Sequence, residues 1–397
     1  MAGRRAQGEG ETGESYCSWE SMFGRIKNLL TPPPSQISDA ESDAAPAPDA
    51  REEEAQFNTK LRTSLESLIT APGLRSAEAV EAVATLKNLA KARGPYVTAA
   101  RVRMQLEARR PDSSSSLVAD TGRGYVLAAD FILQHMVREI DAIEHKSVGP
   151  NIFKAYCNDL VDCLSRGKKV RRCIEIPVMT IDSLLARSLN SGRYKNVYTE
   201  MARQVVLATE EIVSQRVERD ERSARQRSRE SRTTNTPVPV APDSLSSLDR
   251  GSTNYLLALN TGIEKIKEGL AHYEGVPVIS EQAAASGKFD RQQLDAHRSY
   301  LAGLLPVGEA SGYQPFHAMI KGRLGTLLSH SDPESANRLR LEAAQIYETQ
   351  GDLENQLHYH KLIIGRYRAA AEHFRRAGDE ARSAAVLAKV KSTDPDA

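Results

Sequence analysis

Four metal-ligating side chains within one predicted helix are the first candidates for chemistry in this sequence. His135 and Glu139 are four residues apart, and so are Asp141 and His145. Residues four apart share a helix face, but the two pairs point to different faces. The ligands of one metal ion must converge on a single point. We therefore expect no metal site here.

The cysteines and the known sequence motifs of enzymes are equally uninformative about catalysis. Cys157, Cys163 and Cys173 lack the paired CxxC spacing of zinc ligands, so we interpret them as small buried side chains. The sequence contains no P-loop, no GxGxxG, no GxSxG and no HExxH motif. Nothing nominates a nucleophile or a general base, and no cofactor is implied. These observations favour a protein that is not an enzyme.

A short amphipathic segment near the N-terminus, residues 18–30, is the sharpest candidate for binding. Ser18 can cap a helix, and Thr31-Pro32 ends it. At about 100° per residue, six apolar side chains fall within roughly 120° of arc. The stripe contains the only tryptophan of the chain. Its members are Trp19, Met22, Phe23, Ile26, Leu29 and Leu30.

About twelve residues are too few for a stable isolated helix, so the stripe of residues 18–30 needs a surface to cover it. We predict that it binds a partner protein by inserting its apolar face into a groove. Two alternatives stay open, which are docking on the protein's own core and peripheral association with a membrane surface. Arg25 and Lys27 against Glu20 give only a weak attraction to anionic lipid.

An arginine-rich segment, residues 216–232, supports an alternative function in binding nucleic acid, for example in packaging or assembly. Its spacing could follow a phosphate backbone, although no aromatic side chain offers base stacking. Four acidic residues reduce its net charge to +3, which is also typical of a solvated helix with internal ion pairs. The arginines are Arg216, Arg219, Arg222, Arg225, Arg227, Arg229 and Arg232.

The elements that must position these segments are all predicted to be helices. Apolar residues recur at steps of three and four through most of the chain, and Gly94-Pro95 and Gly149-Pro150 separate successive helices. Residues 173–181 alone hint at a strand, and Pro177 argues against it.

Composition divides the chain into four parts. Residues 1–50 are predicted to be a disordered tail around the 18–30 helix, because residues 31–50 are rich in proline and small polar residues. A helical domain is predicted over 51–230, a Pro/Ser linker over 231–250 and a second helical domain over 251–392.

A repeated motif marks the end of the second predicted domain. The pattern A-A-x-x-aromatic-x-x-x-G-D occurs at 343–352 and again at 370–379. A small alanine allows a neighbouring helix to approach, and the aromatic residue fills the interface. The glycine is expected to end one helix and the aspartate to cap the next. The predicted helices are 334–350, 352–364, 367–377 and 379–391.

This pattern resembles a tetratricopeptide-type helical repeat over about 60 of the 397 residues. The small, aromatic and turn positions of that family are matched by Ala344, Tyr347 and Gly351 in one unit and by Ala371, Phe374 and Gly378 in the other. The second helix departs from the family, with Gln356 and His360 in one unit and Ser383 and Leu387 in the other. The resemblance implies stacked helical hairpins and the binding of a protein or peptide in a concave groove.

The overall charge offers no global attraction to nucleic acid or to an acidic membrane. The 53 Lys and Arg residues nearly balance the 52 Asp and Glu residues. No apolar run is long enough to span a bilayer, and no secretory signal core is present. We expect an intracellular protein, with the cytoplasm favoured and a nuclear or host-delivered protein left open.

Together these observations predict an all-α protein with two helical domains, the second ending in stacked hairpins. We expect an adaptor or scaffold that binds other proteins through a groove of the C-terminal hairpins and through the 18–30 helix. A homo-oligomer is also compatible with the sequence.

Overall fold

A computed structural model of the chain describes residues 48–73, 75–109, 121–143, 149–234, 250–273, 276, 278, 279, 283 and 289–393. These residues form thirteen helices and no strand, which confirms the all-α prediction for this part of the chain. The helices are α1 (Pro48–Thr70), α2 (Ala77–Arg93), α3 (Pro95–Ala108), α4 (Gly122–Ala142), α5 (Pro150–Arg166), α6 (Arg172–Asn190), α7 (Lys195–Thr234), α8 (Arg250–Ala271), α9 (Arg291–Ser311), α10 (Gln314–Leu328), α11 (Pro333–Gln356), α12 (His360–Arg376) and α13 (Glu380–Thr393).

Helices that follow each other along the chain pack against each other throughout the described structure. The last four, α10 to α13, are joined by turns of three or four residues, so each folds back on the one before it. Helix α6 makes the longer-range contacts, because it packs against both α10 and α12. The result is a stack of hairpins in which α6 lies beside the C-terminal helices.

Local sequence signals account for several helix boundaries. The Ser76 hydroxyl accepts a hydrogen bond from the Ala79 amide at 3.3 Å and caps α2. Pro95 and Pro150 occupy the first turns of α3 and α5, as the two Gly-Pro pairs predict. Residues 173–181 lie inside α6, which continues through Pro177, so the hint of a strand is not realised.

One hydrophobic cluster runs from Phe57 in α1 to Leu362 in α12 and takes residues from both sides of the segment 231–250. Helix α7 extends the first predicted domain to Thr234, and α8 begins at Arg250. The division into two domains stays a prediction, and the tail 1–47 lies outside the described residues. None of the described helices combines the length and apolarity needed to cross a membrane.

The predicted helix end at Gly351 is wrong. Helix α11 continues through Gly351 and Asp352 to Gln356, and the turn comes at 357–359, where His358 has a positive φ of 56°. A Cβ atom at Gly351 would lie 2.6 Å from the Tyr367 ring. The glycine therefore serves the close approach of α12 and does not end the helix.

The same motif behaves as predicted in the second unit. Gly378 adopts the left-handed conformation with φ of 84° directly after Ala377, the C-cap of α12. The Asp379 carboxylate then accepts a hydrogen bond from the Arg382 amide at 3.0 Å and caps α13.

Candidate functional site

A groove along α10 and α11 in the C-terminal hairpins has a volume of about 710 Å³. We call it the α10–α11 groove. Helix α10 contributes two lining side chains, Gln314 and Lys321. Helix α11 contributes Glu342, Gln345, Ile346, Thr349, Gln350, Asp352, Leu353 and Gln356.

The lining residues of α11 recur at steps of three and four, so one face of the helix forms the length of the groove. From Glu342 to Gln356 the rise of an α-helix corresponds to about 21 Å. That length corresponds to about four turns of a partner helix laid alongside it.

The groove has two aliphatic lining side chains, and most of the others are polar and uncharged. The charged Asp352 is engaged by the Tyr367 hydroxyl and by Lys389. Leu353 is 46% exposed, so it presents an aliphatic surface to the groove. Ile346 lies two turns earlier on the same face. Lys321 and Glu342 form an ion pair at one end of the groove, so these two charges largely neutralise each other.

Four buried side chains, Asp182, Tyr313, Glu354 and Arg366, contact one another next to the α10–α11 groove. We call them the buried ion cluster. The Arg366 guanidinium forms an ion pair with Asp182 Oδ2 at 2.8 Å, and its Nε donates to Glu354 Oε1 at 3.2 Å. The Tyr313 hydroxyl donates to Asp182, and Tyr255 donates to Glu354 at 3.1 Å. The cluster joins α6, α11, α12 and the start of α10, and Tyr255 attaches α8 to it.

Both walls of the groove are attached to this cluster. Tyr313 precedes the lining residue Gln314, and the lining residue Gln350 donates to Glu354 Oε1 at 3.0 Å. All four members of the cluster are buried. Desolvation raises the pKa of the Asp182 and Glu354 carboxyls, and the Arg366 charge opposes that shift. The two carboxylates raise the pKa of Arg366, so it stays charged.

The repeat residues form the hydrophobic core of the C-terminal hairpins, as expected for packing positions. Ala344, Tyr347, Ala371 and Phe374 are all buried in one cluster with α10 and α13. The ring of His373 stacks on Tyr347, with 5.8 Å between centroids and 7° between planes. These aromatic side chains are therefore structural and do not line the groove.

The first predicted binding segment lies outside the described residues. This applies to Trp19, Met22, Phe23, Ile26, Leu29 and Leu30, so the interpretation of the 18–30 helix stays a prediction.

The arginine-rich segment forms the last part of α7. Arg222 and Arg225 are exposed, and Arg222 pairs with Glu218 at 2.9 Å. This pair is of the kind expected for a solvated helix. The side chains of Arg216, Arg219, Arg227, Arg229 and Arg232 lie outside the described part, and their role in binding nucleic acid stays a prediction.

Three of the four candidate metal ligands have other partners, and the fourth, His145, lies outside the described residues. His135 contacts the Tyr156 hydroxyl at 3.0 Å and Glu139 at 3.7 Å, while Asp141 pairs with Arg187. Within the described ranges no three His, Cys, Asp or Glu side chains converge as metal ligands would. Cys157, Cys163 and Cys173 are buried and form no disulfide within the described part of the chain.

The buried ion cluster escaped sequence reasoning, although a local signal was present. Arg366 lies within an apolar stripe of α12, between Ile363 and Ala370 at steps of three and four. A cation at such a position indicates a buried partner, because an unpaired buried charge is costly. The sequence does not reveal which carboxylates pair with it.

Comparison with known proteins adds nothing to this description. The chain matches no family model, no curated protein and no solved structure.

Proposed function

We propose that this protein is a non-enzymatic adaptor or scaffold whose α10–α11 groove binds an amphipathic helix of a partner protein. One observation carries the proposal. A groove of about 710 Å³ presents the exposed Leu353 and the half-buried Ile346 along one helix face, among mostly uncharged polar side chains. An amphipathic helix has the matching apolar stripe, and it uses anchors at i, i+3 or i+4 and i+7.

The support of the groove agrees with a binding surface that is formed before the partner arrives. The buried ion cluster attaches the start of α10 and the end of α11 to α6 and α12. A rigid groove loses less conformational entropy on binding than a mobile one. In this proposal the tetratricopeptide-like units supply the scaffold, and the 18–30 helix supplies a second contact with a partner.

The proposal is tested by a matched pair of substitutions at exposed leucines. Leu353 lies in the groove and is 46% exposed, and Leu387 on α13 is 42% exposed and does not line the groove. A photo-crosslinking amino acid at each position in the full chain identifies proteins in contact with it in the native cell. We expect discrete partner proteins at position 353 and none of these at position 387.

Substitution then tests whether the contact at Leu353 contributes to the free energy of binding. Leu353→Asp introduces a charge into the apolar stripe and is expected to weaken capture of the same partners by tenfold or more. Leu387→Asp should leave capture unchanged. Equal effects of the two substitutions would contradict the proposal.

Nuclease treatment separates this function from the nucleic-acid alternative. Partners bound through the groove persist after nuclease digestion. Loss of all partners on digestion, together with loss of nucleic acid in Arg222→Glu/Arg225→Glu, would move the function to the arginine-rich segment.

A further inference from the structure

A second cavity shares no lining residue with the α10–α11 groove. It combines an apolar floor with positively charged side chains around it. We call it the basic pocket. Its volume is about 260 Å³, and five helices besides α12 contribute to its wall. The floor is formed by aliphatic side chains that belong to the main core, among them Leu68, Leu127 and Ile176.

Four cationic side chains surround this floor. They are Lys87 on α2, Arg123 on α4, Arg172 on α6 and Lys361 on α12. Asp130 is the single acidic residue among the lining residues. Four positive charges against one negative charge make the wall strongly complementary to an anion.

Three of the cations make no direct contact with an acceptor among the described residues, although Asp130 and Glu175 attract them electrostatically. Within the described residues, the side-chain nitrogens of Lys87, Arg172 and Lys361 form neither a hydrogen bond nor a direct ion pair. Arg123 differs, because its Nη1 donates to the Leu68 and Ala71 carbonyl oxygens at 3.3 and 2.5 Å. Arg123 therefore anchors the wall, whereas the other three keep side-chain donors that a ligand can use.

The helix ends around the pocket reinforce the positive field. Arg172 is the first residue of α6, and Lys361 is the second residue of α12. The positive ends of both helix dipoles therefore lie at the pocket. Glu175 offsets part of this field, since its carboxylate accepts a hydrogen bond from the Lys361 amide at 2.9 Å.

The pKa of Lys361 reflects its burial and the neighbouring positive charge of Arg172. Partial burial lowers the pKa of Lys361, and the Arg172 charge lowers it further, against the opposing effect of Glu175 and Asp130. An anion placed between Lys361 and Arg172 would relieve this repulsion.

From the floor and the charges together, we infer that the basic pocket binds a small amphipathic anion, a carboxylate or phosphate monoester on a short aliphatic chain. The chain lies on the aliphatic floor, and the anionic group lies between Lys87, Arg172 and Lys361. A volume of 260 Å³ corresponds to about eight or nine water molecules in the liquid, which suits a chain of six to eight carbons. This inference does not depend on the α10–α11 groove.

The test is calorimetric titration of the full chain with four probes. Octanoate and octyl phosphate carry both the chain and the charge, inorganic phosphate carries only the charge, and octanol carries only the chain. We expect both octyl anions to bind with one site per chain, and phosphate and octanol to bind at least tenfold more weakly. Octanol binding as tightly as octanoate, or phosphate as tightly as octyl phosphate, would overturn the inference. The tighter of the two octyl anions identifies the head group.

Substitutions locate the site and control for folding. Lys361→Gln and Arg172→Gln should each weaken octyl anion binding by about tenfold or more, as expected for loss of a charged hydrogen bond. Lys91→Gln is the matched control, because Lys91 lies one turn beyond Lys87 on α2 and does not line the pocket. Circular dichroism verifies that each variant is folded. Binding that is unchanged in Lys361→Gln, or reduced equally in Lys91→Gln, would overturn the assignment.

Discussion

Replacing Arg366 with methionine tests the buried ion cluster, which holds both walls of the α10–α11 groove. The Arg366 side chain is fully buried, and it bonds Asp182 and Glu354, which are also buried. Methionine fills a similar length but carries no charge, so both carboxylates lose their cation. Breaking a buried ion pair by removing one partner costs about 3–5 kcal/mol. We expect a loss of that size in the free energy of unfolding at pH 7.

The loss in the free energy of unfolding should depend on pH, and the direction of this dependence follows from proton binding. Without Arg366, desolvation raises the pKa of Asp182 and Glu354 further above the unfolded values than in the parent protein. The folded variant then binds more protons than the unfolded chain, so its stability falls as pH rises. Each carboxyl that stays protonated only in the folded state contributes about 1.4 kcal/mol per pH unit. The variant should therefore be distinctly closer to the parent protein at pH 5 than at pH 7.

Urea unfolding followed by circular dichroism at the two pH values measures both effects. Arg375→Met is the matched control on the same helix, because its ion pair with Glu372 is 54% exposed on the arginine side. An exposed pair contributes under about 1 kcal/mol. Adding Asp182→Leu and Glu354→Met to Arg366→Met should recover most of the stability. A loss below about 1 kcal/mol for Arg366→Met, or an equal loss at both pH values, would refute the reasoning.

Three further predictions follow from single positions. Gly351→Ala should lower the free energy of unfolding by about 1–3 kcal/mol, because its Cβ would lie 2.6 Å from the Tyr367 ring, whereas Gly73→Ala meets no atom within 4 Å and should change it little; equal urea midpoints would contradict this. Burial raises the pKa of the Cys157 thiol to about 12, so site-resolved mass spectrometry should find it unmodified by iodoacetamide at pH 8 until urea unfolds the chain. Trp19 is the only tryptophan, so its fluorescence reports on the 18–30 helix alone. If that helix awaits a partner, acrylamide should quench Trp19 as efficiently as a free tryptophan amide, and strong protection would instead support docking on the protein's own core.

The outcome at the two repeat units shows how far local sequence can predict this fold. Gly378 and Asp379 end one helix and begin the next as the motif predicts, because a left-handed glycine followed by a capping aspartate is a local solution. The identical pair at Gly351 and Asp352 does not end a helix. There the Tyr367 ring of α12 occupies the space beside the glycine, and that contact outweighs the local signal.

The sequence by itself determined the all-helical class, the Gly-Pro boundaries of α3 and α5, and the burial of the repeat aromatics. All three follow from periodicity and turn chemistry within a few residues. Only the tertiary structure decided where the proposed binding surfaces lie. Tyr313 and Asp182 bond across 131 positions of sequence, and Lys87 and Lys361 meet at one pocket from opposite ends of the described chain. A sequence pattern records which side chains are charged or apolar, whereas pairing and cavity shape depend on how distant helices pack.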